Sequence, residues 1–193
     1  MTVHAAPGAA PLALAPASDE DFEALLSLRM SAMRESAPKA AALRRPPPRG
    51  GGETLGAARR LFLMSLQRLG RFDPQRVREW LSRAFEPSHT RHILQGGERV
   101  GFVVLLPMPT LVPDHLVLDH LYIAPQAQGQ GIGSWVMAQV LEEADRLGLP
   151  VRVTALKMSD ANRFYQRHGF ELQHESAWDL HYLRPAADDR SDD

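Results

Sequence analysis

Three glycines at alternate positions, Gly129, Gly131 and Gly133, separate two stretches of opposite periodicity. Before them, His115 to Ile123 alternates along its length, the pattern of a strand. After them, Ile132, Val136, Val140, Ala144 and Leu147 recur every three to four residues, the pattern of a helix. The chain therefore turns from strand to helix through a tight loop. Glycine lets backbone approach a ligand without a Cβ in the way. The loop N–H groups and the first helical turn then face one small space, an arrangement that suits a phosphate. Spacing narrows the choice. A P-loop needs Lys-Ser/Thr after its last glycine, and Ile132-Gly133-Ser134-Trp135 has no lysine. A dinucleotide fingerprint is G-x-G-x-x-G with an acid ending the next strand. Here the spacing is G-x-G-x-G and Val151 to Leu156 ends without one.

The rest of the chain builds around this turn. On the strand from His115 to Ile123, strict alternation puts Val117, Asp119, Leu121 and Ile123 on one face and Leu118, His120 and Tyr122 on the other. The helix Ile132–Leu147 stops at Gly148 with Pro150 behind it. Val151 to Leu156 reads as a strand. Ser159 caps a short helix running to His168, ended by Gly169 with Phe170 packing back, and Leu180 to Leu183 is the last strand. Upstream, Leu12 and Leu14 suit a short edge strand, and Ser18 with Asp21 opens an amphipathic helix over 19–34. Leu61 to Leu69 makes a second helix. Asp73-Pro74 opens a third that buries Val77, Trp80, Leu81 and Phe85. Thr90 to Leu94 and Arg99 to Leu106 form a hairpin through Gln95-Gly96-Gly97-Glu98. A hairpin leading into a crossover helix predicts an α+β fold on a mixed sheet rather than a doubly wound parallel one. With 193 residues, one domain over 11–185 is expected. A flexible arm over 1–10 and an acidic, disordered tail over 186–193 flank it.

Composition excludes several functions. The chain has no cysteine, which removes disulfides, thiolate metal sites and cysteine nucleophiles together. Eight histidines show no pairing with metal-ligand spacing, so no metal is expected. No stretch approaches the roughly 18 apolar residues of a membrane span. The N-terminal stretch lacks the basic residues of a secretory signal, so a cytoplasmic protein is expected. Net charge is −1. Residues 44–91 carry 11 Arg against 4 acids, but without the interleaved aromatics of a single-strand binder they read as solvated helix faces, and no nucleic acid is expected. The breaker run from Arg44 to Gly52 falls in this segment. The 20 Arg against 2 Lys suggest a GC-rich genome and a bacterial source.

Two motifs resemble those of the GNAT superfamily of acyl-CoA-dependent N-acyltransferases. The family's Arg/Gln-x-x-Gly-x-Gly/Ala loop is matched by Gln128, Gly131 and Gly133, after a strand ending Ile123-Ala124-Pro125. Its Tyr-x-x-x-Gly-Phe helix end is matched by Tyr165, Gly169 and Phe170, preceded by Asn162. The resemblance is strongest over 90–172, and 35–89 falls in the family's variable helical substrate-side region. It implies a mixed, mostly antiparallel sheet of six to seven strands with a V-shaped splay and helices on both faces. Backbone groups of Leu121, Tyr122 and Ile123 would pair with the pantetheine arm of acetyl-CoA. Gln128, Gly129, Gln130, Gly131, Ile132, Gly133 and Ser134 would wrap the diphosphate. Asn162 would lie near the pantetheine or thioester, and Tyr165 would protonate the departing thiolate. Many members carry Asn where this chain has Ser159.

Acyl transfer to an amine needs a neutral nucleophile, a stabilised oxyanion and a protonated leaving sulfur. An alkyl amine of pKa near 10 is only about 0.1% neutral at pH 7, so a base helps. Asp119 or His120, on the strand edging the cleft, is the candidate base. Trp80, His92, Trp178 and His181 are candidates for an acceptor pocket. The expected partners are acetyl-CoA and an amine acceptor, in a monomer or homodimer. A non-catalytic acyl-CoA-binding module of the same fold is the alternative, and a nucleic-acid-associated factor using the Arg-rich segment is a third reading.

Overall fold

A computed structural model describes residues 10–27, 78, 85–108, 114–157, 159–177 and 179–187. The expected helices over 61–85, the Arg44–Gly52 run, Trp80, Trp178, and most of the arm and tail lie outside the described residues, apart from Arg78 and Phe85. Seven strands form one sheet: β1 (Leu12–Pro16), β2 (Thr90–Gln95), β3 (Glu98–Pro107), β4 (Leu116–Ile123), β5 (Val151–Leu156), β6 (Glu171–Glu175) and β7 (Asp179–Arg184). Their order is β1-β2-β3-β4-β5-β7-β6. Only β4 and β5 run parallel, as the crossover between them requires. Helical segments described beside the sheet include α1 over 22–27, α2 (Ile132–Leu147) and α3 (Ala161–Arg167).

The core lies between α2 and one face of the sheet. Ile132, Val136, Met137, Val140 and Ala144 pack with Val103, Leu105, Leu116, Leu118, Val151 and Val153. Burying each large apolar side chain stabilises by about 1.5–3 kcal/mol. Together these outweigh the roughly 1 kcal/mol that Gly133 costs inside the first turn of α2. Two ion pairs fasten the helix to the sheet. Arg91 of β2 reaches Glu143 at 2.6 Å, and the largely buried Arg184 of β7 grips Asp145 with two nitrogens, Nη2 at 2.7 Å. Gly148 stops α2 in the left-handed region at φ 64, with the Leu149 N–H bonded back to Ala144.

α1 begins beside β2. Its lead-in turn places Asp21 3.1 Å from Nε2 of His92, which pairs across β2 and β3 with Phe102, away from the core. The Ser18 N–H and hydroxyl both bond Asp21 Oδ2 at 2.9 Å. Those bonds, with His92 beside them, hold the Asp21 carboxyl far below the usual carboxylate range. His92 is thus buried beside the turn that leads into α1.

One departure from simple alternation matters most. Leu105 pairs with Leu118 while Val104 pairs with His120, so Asp119 is an extra residue in β4. Leu118 therefore joins Leu121 and Ile123 on the core face, and Val117 joins His120 and Tyr122 on the other. This corrects the grouping expected from strict alternation. Strand β6 was not legible, because Glu171 to Glu175 is exposed at every position and shows no buried face. Ser159 precedes the α3 N-cap, which is Asp160, and its hydroxyl accepts the Ala161 N–H at 3.2 Å. At the C-terminal end, Ala186 is buried and the Ala187 N–H bonds Asp145 at 3.1 Å.

Candidate functional site

β4 and β5 pair over only three positions, Leu116↔Val151, Val117↔Arg152 and Leu118↔Val153. β4 then runs on to Ile123 and β5 to Leu156 with no register between them. The Asp119 bulge sits where pairing stops, and a bulge bends its strand. The result is a V whose apex lies at Leu118 and Val153.

The mouth of the V is closed at one side by the glycine loop. Gly129 and Gly131 take φ of 74 and 77, and a Cβ built on either would meet no atom within 4 Å. These two positions need glycine for their backbone and leave open space above it. Gly133 differs. A Cβ there would lie 3.3 Å from Ile123 Cδ1 and 3.4 Å from Phe164, so this glycine lets the start of α2 close against β4 and α3. Gly131 is the N-cap of α2 and no side chain caps the helix. The first α2 N–H groups thus have no intrahelical carbonyl and stand at the positive end of a 16-residue helix. Gln128 folds back to donate to Ile123 O at 2.8 Å. Gln130 accepts from Gln95 of β2 at 3.0 Å and donates to Gln126 O at 3.2 Å, tethering the outer loop. Ser134 is exposed on the first turn and Ile132 is buried beneath it.

On the β4 arm, Leu121 and Ile123 lean on the core while His120 and Tyr122 lie against Phe102 on the other face, with centroids 6.3 and 5.7 Å from it. Asp119 Oδ2 is 3.2 Å from His120 Nε2, and both groups are largely buried. The two candidate bases are therefore one pair. On the α3 side, Tyr165 is buried between Phe164, Phe170 and Tyr182. Asn162 has its amide engaged within the fold. Nδ2 donates to Leu156 O and Ser159 O at 2.8 Å and to Lys157 O at 3.2 Å, and Oδ1 accepts from Tyr182 at 3.2 Å. Burial, reinforced by the Glu175 carboxylate, pushes the Tyr182 phenol up, which keeps it a donor to Asn162. Asn162 thus braces the end of β5 against α3.

Sequence reasoning missed Thr154. It is the first β5 residue past the last pair with β4, on the face away from the core, and it shares a 3.2 Å hydrogen bond with His181 Nδ1. The alternation Val151-Arg152-Val153-Thr154 carried that placement, but a lone threonine in a strand gives no functional signal. Among the described residues no group of three His, Asp or Glu could hold a metal ion, and no helix is long and apolar enough to cross a membrane.

The family model of the acetyltransferase (GNAT) family matches residues 57–170. The chain belongs to that family. An aminoalkylphosphonate N-acetyltransferase of Salmonella typhimurium is 36% identical over 90 residues, which are 45% of this chain and 58% of that protein. The chain thus spans a little over half the length of that curated relative. Two solved structures share the GNAT fold. One is the PaiA N-acetyltransferase of Thermoplasma acidophilum in complex with coenzyme A, with TM-score 0.57, 16% identity, 90% of this chain and 98% of that one. The other is an acetyltransferase of Thermus thermophilus, with TM-score 0.58, 19% identity, and coverage of 90% and 96%. The seven-stranded, mostly antiparallel sheet with its crossover helix is the GNAT fold expected from the two motifs.

Proposed function

We propose that this GNAT protein transfers the acetyl group of acetyl-CoA to an amine, by direct attack while both substrates are bound. The observation that carries this reading is the splay of β4 from β5 beside an uncapped helix N-terminus and two open, positive-φ glycines. That space suits a diphosphate held by main-chain N–H groups from Gln128 to Ser134. A pantetheine arm running back along Leu121, Tyr122 and Ile123 would add a strand to the open edge of β4 and bring the thioester towards the apex.

The Asp119–His120 pair serves as base, with the carboxylate orienting the imidazole as it takes a proton from the amine. Attack makes the C–N bond, and collapse of the tetrahedral adduct breaks the C–S bond. Tyr165 gives the thiolate its proton and regains one from solvent. Asn162 acts through the fold, holding the end of β5 where the V opens, and Gly133 does the same for the start of α2. With no cysteine in the chain, a thiol acyl-enzyme has no nucleophile. Acetyl-CoA and a small or peptidic amine are the partners of this reading. The named relative makes 2-aminoethylphosphonate the first acceptor to try. A cytoplasmic setting fits a CoA-dependent reaction.

The test combines calorimetry with acetyl-CoA and a thiol-release screen over amines that includes 2-aminoethylphosphonate, amino acids, polyamines and N-terminal peptides. Micromolar binding with acceptor-dependent thiol release is expected. Binding without release for any amine would replace this reading with a non-catalytic acyl-CoA-binding module, and absence of binding heat would remove both.

A further inference from the structure

We infer that Thr154 and His181 form a second proton exit at the apex of the V, across from the Asp119–His120 pair. This rests on the acetyl-transfer reading and deepens it. Thr154 stands on β5 one residue past the last pair with β4, and His120 stands on β4 two residues past it, both on the sheet face away from α2. The apex is thus flanked by a polar group on each arm. Behind Thr154 lies a row across three strands. Its hydroxyl meets His181 Nδ1 at 3.2 Å, and the His181 ring stacks on His174 with centroids 4.1 Å apart and planes 8° apart. Thr154 and His181 are half-buried while His174, on the edge strand β6, is exposed. The row therefore leads from the apex to solvent.

The reaction needs two exits. An ammonium acceptor loses one proton to become nucleophilic. After attack, the cationic nitrogen of the adduct loses a second as the amide forms. The sulfur takes up one, so one proton is released overall. One imidazole on β4 accommodates one of these transfers. In the other, the substrate N–H proton goes to Thr154 Oγ1 as the Thr154 proton passes to His181 Nδ1. His181 then releases a proton to solvent. An imidazole titrates near neutrality, the range this relay needs. The charged groups on the same face are Arg152 on β5, Asp179 along β7, and His174 and Glu171 on β6. His174 is a positioning residue that fixes the plane of the His181 ring.

The test uses the full chain with acetyl-CoA and 2-aminoethylphosphonate, reading log kcat/KM against pH on the acid side. Wild type should show a slope of two, and His181→Gln or His120→Gln a slope of one with kcat/KM at neutral pH down about 100-fold. Thr154→Val should match His181→Gln, and Thr154→Ser should restore the wild-type slope. A His181→Gln variant that slows the reaction with the slope still at two is a packing residue, and the relay is wrong. A burst of thiol before acceptor is added, lost in Thr154→Val, would make Thr154 an acylated nucleophile instead, also overturning it. A readout independent of the acceptor is nitrogen NMR of the histidine rings. Nδ1 of His181 should be the unprotonated, accepting nitrogen, and a protonated Nδ1 at neutral pH ends the proposal even if no amine is acetylated. Absent acetyl transfer with the expected tautomer would instead fault the underlying reading.

Discussion

The two halves of β4 do different work on one continuous strand. Leu116 to Leu118 is closed on both sides, by β3 and by β5, and two of its three side chains are in the core. Asp119 to Ile123 keeps β3 but has left β5. The closed half fixes the sheet, and the open half offers an edge that a substrate can complete. An extra residue at the boundary is what lets one strand do both, since it reverses which side chains face the core without breaking the ladder to β3.

Breaking the open half should show in binding with little effect on folding. A β-branched residue at Gly131 would be forced into the left-handed region at φ 77, directly at the N-cap of α2. Gly131→Val is expected to lower acetyl-CoA affinity by about 5- to 150-fold, because strain of about 1–3 kcal/mol is relieved by moving the loop N–H groups off the diphosphate. Calorimetry measures this. Unchanged affinity would mean the loop is not the diphosphate site. On α3, Tyr165→Phe should cut turnover about 100-fold with acetyl-CoA affinity unchanged. Unchanged turnover in the thiol-release assay would remove Tyr165 from the chemistry.

Breaking the closed half should do the reverse. Leu118 is 1% exposed and packs under α2. Leu118→Ala should destabilise by about 2–5 kcal/mol, read as a lower urea midpoint with the slope unchanged. A loss of binding larger than the loss of stability would show that the halves are not separable.

Much of this contrast was legible in the sequence, and the missing parts have definite causes. The glycine loop was legible because positive φ and tight helix closure both demand one residue type, although only the structure separates Gly129 and Gly131, which serve open backbone, from Gly133, which serves packing. The bulge at Asp119 was illegible because both Leu-Asp-His-Leu registers look equally amphipathic, and only the ladder to β3 decides between them. β6 was illegible because an exposed edge strand has no apolar face to repeat. The bracing role of Asn162 was hidden because its partners are main-chain carbonyls and a tyrosine 20 residues away.

A region two strands away from the V sharpens the comparison with an acid titration. Asp21 on the α1 side is held far below the usual carboxylate range, first by the Ser18 N–H and then by His92. A depressed folded pKa stabilises above the unfolded value of about 3.9, and that contribution is lost as pH falls further. Asp21→Asn should therefore cost about 1–2 kcal/mol at pH 7, and the gap to wild type should narrow steadily as pH falls below about 4. Urea melts across that range measure it. A gap that persists unchanged at pH 2 would assign the cost to shape and not to charge. Acetyl-CoA affinity should stay as in wild type, since neither Asp21 nor His92 faces the opening.

The smallest effect is expected at Gln128, where the glycine loop meets the open edge of β4. Its amide donates to Ile123 O at 2.8 Å, tying the loop to the last residue of the open β4 edge. The bond is exposed, so its net worth is about 0.5–1.5 kcal/mol and global stability should barely move. Gln128→Ala frees the loop to sample positions in which its N–H groups no longer converge, and affinity for acetyl-CoA should fall by about 3- to 10-fold through that loss of preorganisation. Free coenzyme A should weaken by the same factor, because the acetyl group lies at the far end of the arm. Unequal losses for the two ligands would mean that Gln128 acts on the thioester end, and the orientation drawn along β4 would have to be reversed.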